Sequence, residues 1–196
     1  LVSMLDVLVA FMMGRDMFDF TAGSTENITM SFFLLIIFAV FVGALSQMRE
    51  IVKENDIYRR ERLVNLKIFP YVFSKVWFAG LLALYHAVAY VGIHYLAYDM
   101  PGGRLEFGLM YVTTFLLAFS GMMLGLFTSA LATSANTAPM LVILLLMPQV
   151  VLSGALVTLP GNVSAPAVTR WAFETYMGVS GVGSDVAADL CWQLPE

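Results

Sequence analysis

Residues 49–75, REIVKENDIYRRERLVNLKIFPYVFSK, hold most of the positive charge of an otherwise apolar chain. Seven of the 10 Lys and Arg residues lie in this basic segment: Arg49, Lys53, Arg59, Arg60, Arg62, Lys67 and Lys75. Acidic residues are interleaved with them, at Glu50, Glu54, Asp56 and Glu61. Such a concentration of charge in one place requires an explanation, and the composition of the whole chain supplies the first part of it.

The composition is that of a membrane protein. Of the 196 residues, 60% are hydrophobic and only 12% are charged, whereas a soluble domain carries about 25% charged residues. The net charge of −4 does not favour a nucleic-acid partner. The single cysteine, Cys191, excludes an internal disulfide framework and a cysteine-based metal site within this sequence.

Long apolar runs predict membrane-spanning helices on either side of the basic segment. Four are long enough to cross a bilayer, at about 28–48, 69–98, 107–133 and 137–159. A shorter run over residues 1–14, which contains Asp6, is interpreted as the second half of a further helix. Because lipid cannot satisfy exposed backbone groups, helices are favoured over strands. The prediction is an all-α membrane protein, a polytopic helical bundle forming a single domain over residues 1–196.

The basic segment also predicts the orientation. Lys and Arg accumulate in cytoplasmic loops, so residues 49–68 are expected inside, and alternation places 15–27, 99–106 and 160–196 outside. The external segment is expected to contain a short amphipathic helix, capped by Ser164, with Pro166 in its first turn and a stop at Gly178. One face of that helix is expected to carry Val168, Trp171, Ala172 and Thr175.

Two interpretations of the basic segment remain open from the residues alone. Glu50 with Lys53 and Asp56 with Arg60 have the spacing of ion pairs on a helix. The segment is therefore predicted to be a surface helix whose polar side docks a cytoplasmic protein, or a solvated loop that merely obeys the charge rule.

Few residues in the spans suggest chemistry. His86 and His94 could form a proton relay or a metal pair, but neighbouring tyrosines favour a packing face, and we predict no metal site and no catalytic residues. Gly121, Gly125 and Ser129, at four-residue spacing, predict close helix packing. In the last span, Pro148 predicts a kink, and Gln149 offers a polar group at membrane depth.

The order of these features resembles the permease domain of G-subfamily (white-type) ABC exporters, in particular bacterial members. In that family the segment after the second helix carries E-x3-[YF]-x-RER followed by Y-x2-SK. The matching residues here are Glu54, Tyr58, Arg60, Glu61 and Arg62, then Tyr71, Ser74 and Lys75. Asn55 departs from the family, which often has Arg after the first Glu. The resemblance covers essentially the whole chain, with five of the six family helices present and the first truncated.

The resemblance implies a function for the basic segment. Residues 49–66 would form a coupling helix that contacts an ATP-binding domain, with Glu54, Tyr58, Arg59, Arg60, Glu61 and Arg62 as the contact residues. ATP and magnesium would bind that partner domain, fused or separate, and no cofactor would bind this chain. A second permease protomer would complete a path for a hydrophobic or amphipathic solute across the plasma (inner) membrane. Residues that could line this path are Phe38, Phe41, Met147 and Gln149.

A competing interpretation comes from a different class of protein. The chain could be a structural or accessory membrane subunit of a larger complex, without transport activity. The two interpretations differ over residues 49–66, because only a transporter requires that segment to bind an ATPase.

Overall fold

The computed structural model describes residues 25–62, 67–98, 103–155 and 161–180, and most of these residues are helical, with no strand among them. In chain order the helices are α1 (Thr25–Gln47), α2 (Asn55–Arg62), α3 (Ile68–Ala97), α4 (Arg104–Leu131), α5 (Ala138–Val151), α6 (Gly161–Ser164) and α7 (Val168–Val179). A short 3-10 helix, Val52–Glu54, lies between α1 and α2. The predicted all-α fold is confirmed for this part of the chain. The first predicted helix, with Asp6, and the tail with Cys191 lie outside the described residues.

Three of the described helices, α1, α3 and α4, are long and apolar enough to cross a membrane. Helix α1 has 23 residues, which at about 1.5 Å per residue reach about 35 Å, enough for a hydrocarbon core of about 30 Å. Helix α3 has 30 residues, more than the core requires, so it is long enough to span with a tilt or with a turn left in the interface.

Helix α1 and helix α4 are in backbone contact. A Cβ atom added at Gly121 would lie 2.6 Å from the carbonyl oxygen of Val40, and one added at Gly43 would lie 2.7 Å from that of Ala118. A Cβ atom at Gly125 would overlap the carbonyl oxygen of Ala44. Only residues without a side chain allow this approach, which gives membrane helices close van der Waals packing where no hydrophobic driving force acts.

Helix α5 ends earlier than the sequence predicts. Its last residue is Val151 rather than residue 159, so its 14 residues reach only about 21 Å. Pro148 lies in its final turn, where the missing N–H removes one helical hydrogen bond. The chain then turns: the N–H of Leu152 donates to the carbonyl oxygen of Pro148 at 2.9 Å, and Gly154 has a φ of 85°. Glycine adopts this left-handed backbone conformation without strain. The turn that contains Gly154 therefore follows the end of the helix.

The predicted external helix is present as α7, but its ends and its buried face differ from the prediction. The helix begins at Val168, with Ala167 rather than Ser164 as its N-cap, and Gly178 lies inside it. The buried residues are Thr169, Ala172 and Tyr176, whereas Trp171 is exposed. The reason is tertiary: α7 packs on α1 and α4, and the phenol of Tyr176 meets the hydroxyl of Thr114 on α4 in a buried hydrogen bond.

Candidate functional site

The basic segment follows directly on the end of α1, with a single turn and no longer loop between them. Residues 48–62, here called the connector, begin with a turn at 48–51 and continue as the 3-10 helix and α2. The sequence predicts a helix over 49–66. The structure is helical from Val52 to Arg62, while residues 63–66 and the side chains of Arg59 and Arg62 lie outside its described part.

Glu54 joins the connector to the start of α3. Its Oε1 accepts a hydrogen bond from the Lys75 ammonium at 2.7 Å, and its Oε2 accepts one from the Tyr71 hydroxyl at 3.0 Å. The Lys75 Nζ also lies 3.6 Å from the Glu50 carboxylate. The predicted Glu50–Lys53 pair is confirmed, at 2.6 Å. Because Lys75 is mostly shielded from solvent, its hydrogen-bonded pair with Glu54 is worth more than an exposed ion pair.

Two aromatic rings lie beside this ion pair. The ring centroids of Tyr58 and Tyr71 are 5.0 Å apart, a spacing at which aromatic rings attract each other. Tyr71 therefore contacts the connector twice, through its hydroxyl and through its ring. The structure thus brings together Glu54, Tyr58, Tyr71 and Lys75, which the sequence separates by up to 21 positions.

The opposite side of α2 faces away from the protein. Asp56, Ile57, Arg60 and Glu61 are exposed, and Asp56 and Arg60, both within the described residues, do not form an ion pair. Ile57 exposes 57% of its surface. A single exposed apolar residue is ordinary on a protein surface. The distinguishing feature of this side of α2 is that acidic and basic side chains are mixed on it.

The four residues proposed for a solute path occupy different environments. Phe38 and Phe41 lie half-buried on α1 against the main core, and Met147 on α5 is exposed. Gln149 connects α5 to α7: its side-chain oxygen accepts the N–H of Val168 at 3.0 Å, and its carbonyl oxygen accepts the hydroxyl of Thr169 at 2.6 Å. These bonds satisfy polar groups at the start of α7.

The two histidines lie among aromatic side chains. His94 is buried, with its ring centroid 4.8 Å from that of Tyr98 and 5.9 Å from that of Phe32. His86 is half-buried beside Tyr85 and Tyr90. Within the described ranges, no three His, Cys, Asp or Glu side chains converge where they could hold a metal ion.

Ser129 has a role that sequence reasoning missed. The regular spacing of Gly121, Gly125 and Ser129 predicts helix packing alone. In the structure the Ser129 Oγ accepts hydrogen bonds from the backbone N–H groups of Ile51 and Val52, at 2.9 and 3.0 Å. The available signal was the change from glycine to serine at the last position of that stripe.

Comparison with known proteins gives two findings. A family model described as ABC-2 type transporter matches residues 2–177. A curated protein of Mycobacterium tuberculosis, described as an ABC transporter ATP-binding/permease protein, is 28% identical in an alignment of length 150 that covers 71% of this chain. The chain spans only 17% of the length of that relative.

Proposed function

Because the chain belongs to the ABC-2 type transporter family, we propose that it forms the membrane-spanning part of an ATP-driven exporter and couples to a cytoplasmic ABC ATPase domain through the connector. The chain is an integral membrane protein. The connection of Glu54 to Lys75 and Tyr71 carries the proposal, because it ties the connector to a membrane helix. A force applied to the connector would therefore reach α3 directly.

The ATPase domain is the proposed partner of the exposed side of α2. That side presents Ile57 together with Asp56, Arg60 and Glu61, a mixture suited to a protein surface rather than to lipid, where a basic patch without acids is typical. The Mycobacterium tuberculosis relative combines ATP binding and a permease in one protein, which favours the same pairing here. ATP and magnesium would bind the ATPase domain, fused or separate.

The proposed mechanism is alternating access in a dimer. Closure of two ATPase domains on ATP would move both connectors, and each connector would tilt α1 and α3 of its protomer. The path would lie between α1 and α5 of the two copies, where Phe38, Phe41 and Met147 offer an apolar lining. Such a lining would suit a hydrophobic or amphipathic solute. We place the protein in the plasma (inner) membrane with the connector in the cytoplasm.

The first prediction concerns the docking surface on α2. In the intact protein with its ATPase domain, the double change Arg60→Glu and Glu61→Arg is expected to abolish substrate-stimulated ATP hydrolysis, because it inverts two exposed charges that would meet the ATPase domain. Membrane insertion is expected to be unchanged, since neither side chain is buried. ATPase assays in proteoliposomes, with and without substrate, measure the effect.

The matched control is Arg104→Glu, which reverses one exposed arginine at the other end of the bundle and is expected to leave stimulation intact. Unchanged stimulation in the Arg60/Glu61 variant would contradict the coupling role of α2. An accessory subunit without transport activity would then be the better interpretation.

A further inference from the structure

We propose that Ser129 is a positioning residue that fixes the first turn of the connector to α4, so that movement of the connector is transmitted to α4 as well as to α3. The transmission of movement rests on the proposed function. The attachment of the connector to Ser129 rests on geometry alone.

The geometry at Ser129 is that of a buried acceptor shared by two donors. The side chain is 1% exposed, and its Oγ accepts from the N–H groups of Ile51 and Val52. The amides on either side of these two, those of Glu50 and Lys53, donate to backbone carbonyls within the same turn. The N–H groups of Ile51 and Val52 precede or begin the 3-10 helix, where no carbonyl of that helix can accept them. Ser129 supplies the acceptor that they lack.

The position of Ser129 on α4 explains why it reaches this turn. Gly121 and Gly125 hold α4 against the backbone of α1 near Val40 and Ala44. One helical turn further along the same stripe, α1 has ended and the connector has begun. A glycine there would leave the two amides without an acceptor, whereas the serine hydroxyl bonds both.

The connector is therefore attached at two points to two different helices. Ser129 on α4 holds its first turn, and Lys75 and Tyr71 on α3 hold Glu54. A rotation of α2 about either attachment alone would break the other, so a load on α2 moves α3 and α4 together. The exposed side of α2 takes part in neither attachment and stays available to a partner.

The test compares Ser129→Ala with Ser120→Ala in the intact protein. Ser120 is the matched control, because it lies on the same helix and its hydroxyl donates to the carbonyl oxygen of Leu117 within that helix. Amide hydrogen–deuterium exchange of residues 49–54 is expected to rise roughly tenfold in Ser129→Ala, since local opening follows the loss of the acceptor. Exchange in Ser120→Ala is expected to match the unmodified protein.

The second measurement is the ratio of ATP hydrolysis stimulated by an amphipathic dye, rhodamine 6G, which serves as the substrate, to basal ATP hydrolysis in the same variants. We expect this ratio to fall roughly threefold in Ser129→Ala with basal hydrolysis retained, because a loosened attachment impairs transmission and not the ATPase domain itself. A merely structural role would leave the ratio unchanged.

Each outcome decides a different part of the inference. Unchanged exchange in Ser129→Ala overturns the attachment, and faster exchange with an unchanged ratio overturns the transmission. If the unmodified protein shows no substrate stimulation, the proposed function fails and transmission with it, while the exchange data still decide whether Ser129 holds the connector.

Discussion

Replacing Gly125 by Ala is expected to destabilise the protein by roughly 2–3 kcal/mol or more, the cost of overpacking a close contact. The added methyl group would overlap the carbonyl oxygen of Ala44. The methyl group is fixed directly to the backbone of α4 and the oxygen belongs to the backbone of α1, so no flexible side chain can move aside. The only relief is a separation of α1 and α4, and these two helices form the most extensive helix pair in the described part of the chain.

The control for this change is Gly108→Ala in the same helix. Among the residues that the structure describes, no heavy atom outside the helix lies within 4 Å of a Cβ atom at Gly108. In a helix interior, Ala is favoured over Gly by roughly 0.5–1 kcal/mol, so this variant is expected to be at least as stable as the unmodified protein. The two substitutions add the same methyl group and are predicted to change the stability of the protein in opposite directions.

Thermal unfolding in detergent, or reversible unfolding in mixed micelles, measures both variants. We expect a lower midpoint and a reduced yield of folded protein for Gly125→Ala, and an unchanged or higher midpoint for Gly108→Ala. Equal shifts in the two variants would contradict the backbone contact between α1 and α4.

Reversing the charge of Lys75 is expected to reduce substrate-stimulated ATP hydrolysis roughly tenfold, the factor that corresponds to about 1.4 kcal/mol of lost coupling. In Lys75→Glu, three carboxylates would meet at positions 50, 54 and 75, where the ammonium now lies 2.7 Å from one and 3.6 Å from another. The connector would then separate from α3, and movement of the connector would no longer reach that helix.

The charge swap distinguishes a lost ion pair from general damage. Glu54→Lys alone is expected to lose stimulation of ATP hydrolysis as Lys75→Glu does. The double variant Glu54→Lys with Lys75→Glu is expected to regain part of the stimulation. Recovery is expected to be partial, because the carboxylate introduced at position 75 would face Glu50. The matched control is Lys53→Glu, whose side chain is 49% exposed and pairs with Glu50 at the surface, so a small effect is expected. If the double variant shows no more stimulation than either single variant, a direct ion pair between residues 54 and 75 is contradicted.

The helical conformation of a segment could be predicted from the sequence wherever the surrounding lipid alone determines it. The charge-free run in α1 must be a helix because lipid satisfies no backbone group, and the structure has a helix at Thr25–Gln47. The Glu50–Lys53 pair likewise follows from spacing within one turn. Both features depend on residues close together in the chain.

Features that depend on contacts between distant residues could not be predicted in the same way. The early end of α5 requires the turn at Gly154, and the buried face of α7 is set by Thr114 on another helix. Gln149 also bonds the start of α7, 19 positions away, a contact that its place in the last apolar run does not indicate. Ser129 lies 78 positions from Ile51, and nothing local to either residue indicates that they meet.

The most direct test is a photo-crosslinking residue at position 61 of the connector in the intact protein with its ATPase domain. Position 105, an exposed leucine at the predicted outer end of α4, serves as the control. Mass spectrometry of the crosslinked peptides is expected to find ATPase-domain peptides joined to position 61 and none joined to position 105. Absence of such peptides at position 61, or equal amounts at both positions, would show that the connector does not contact the ATPase domain.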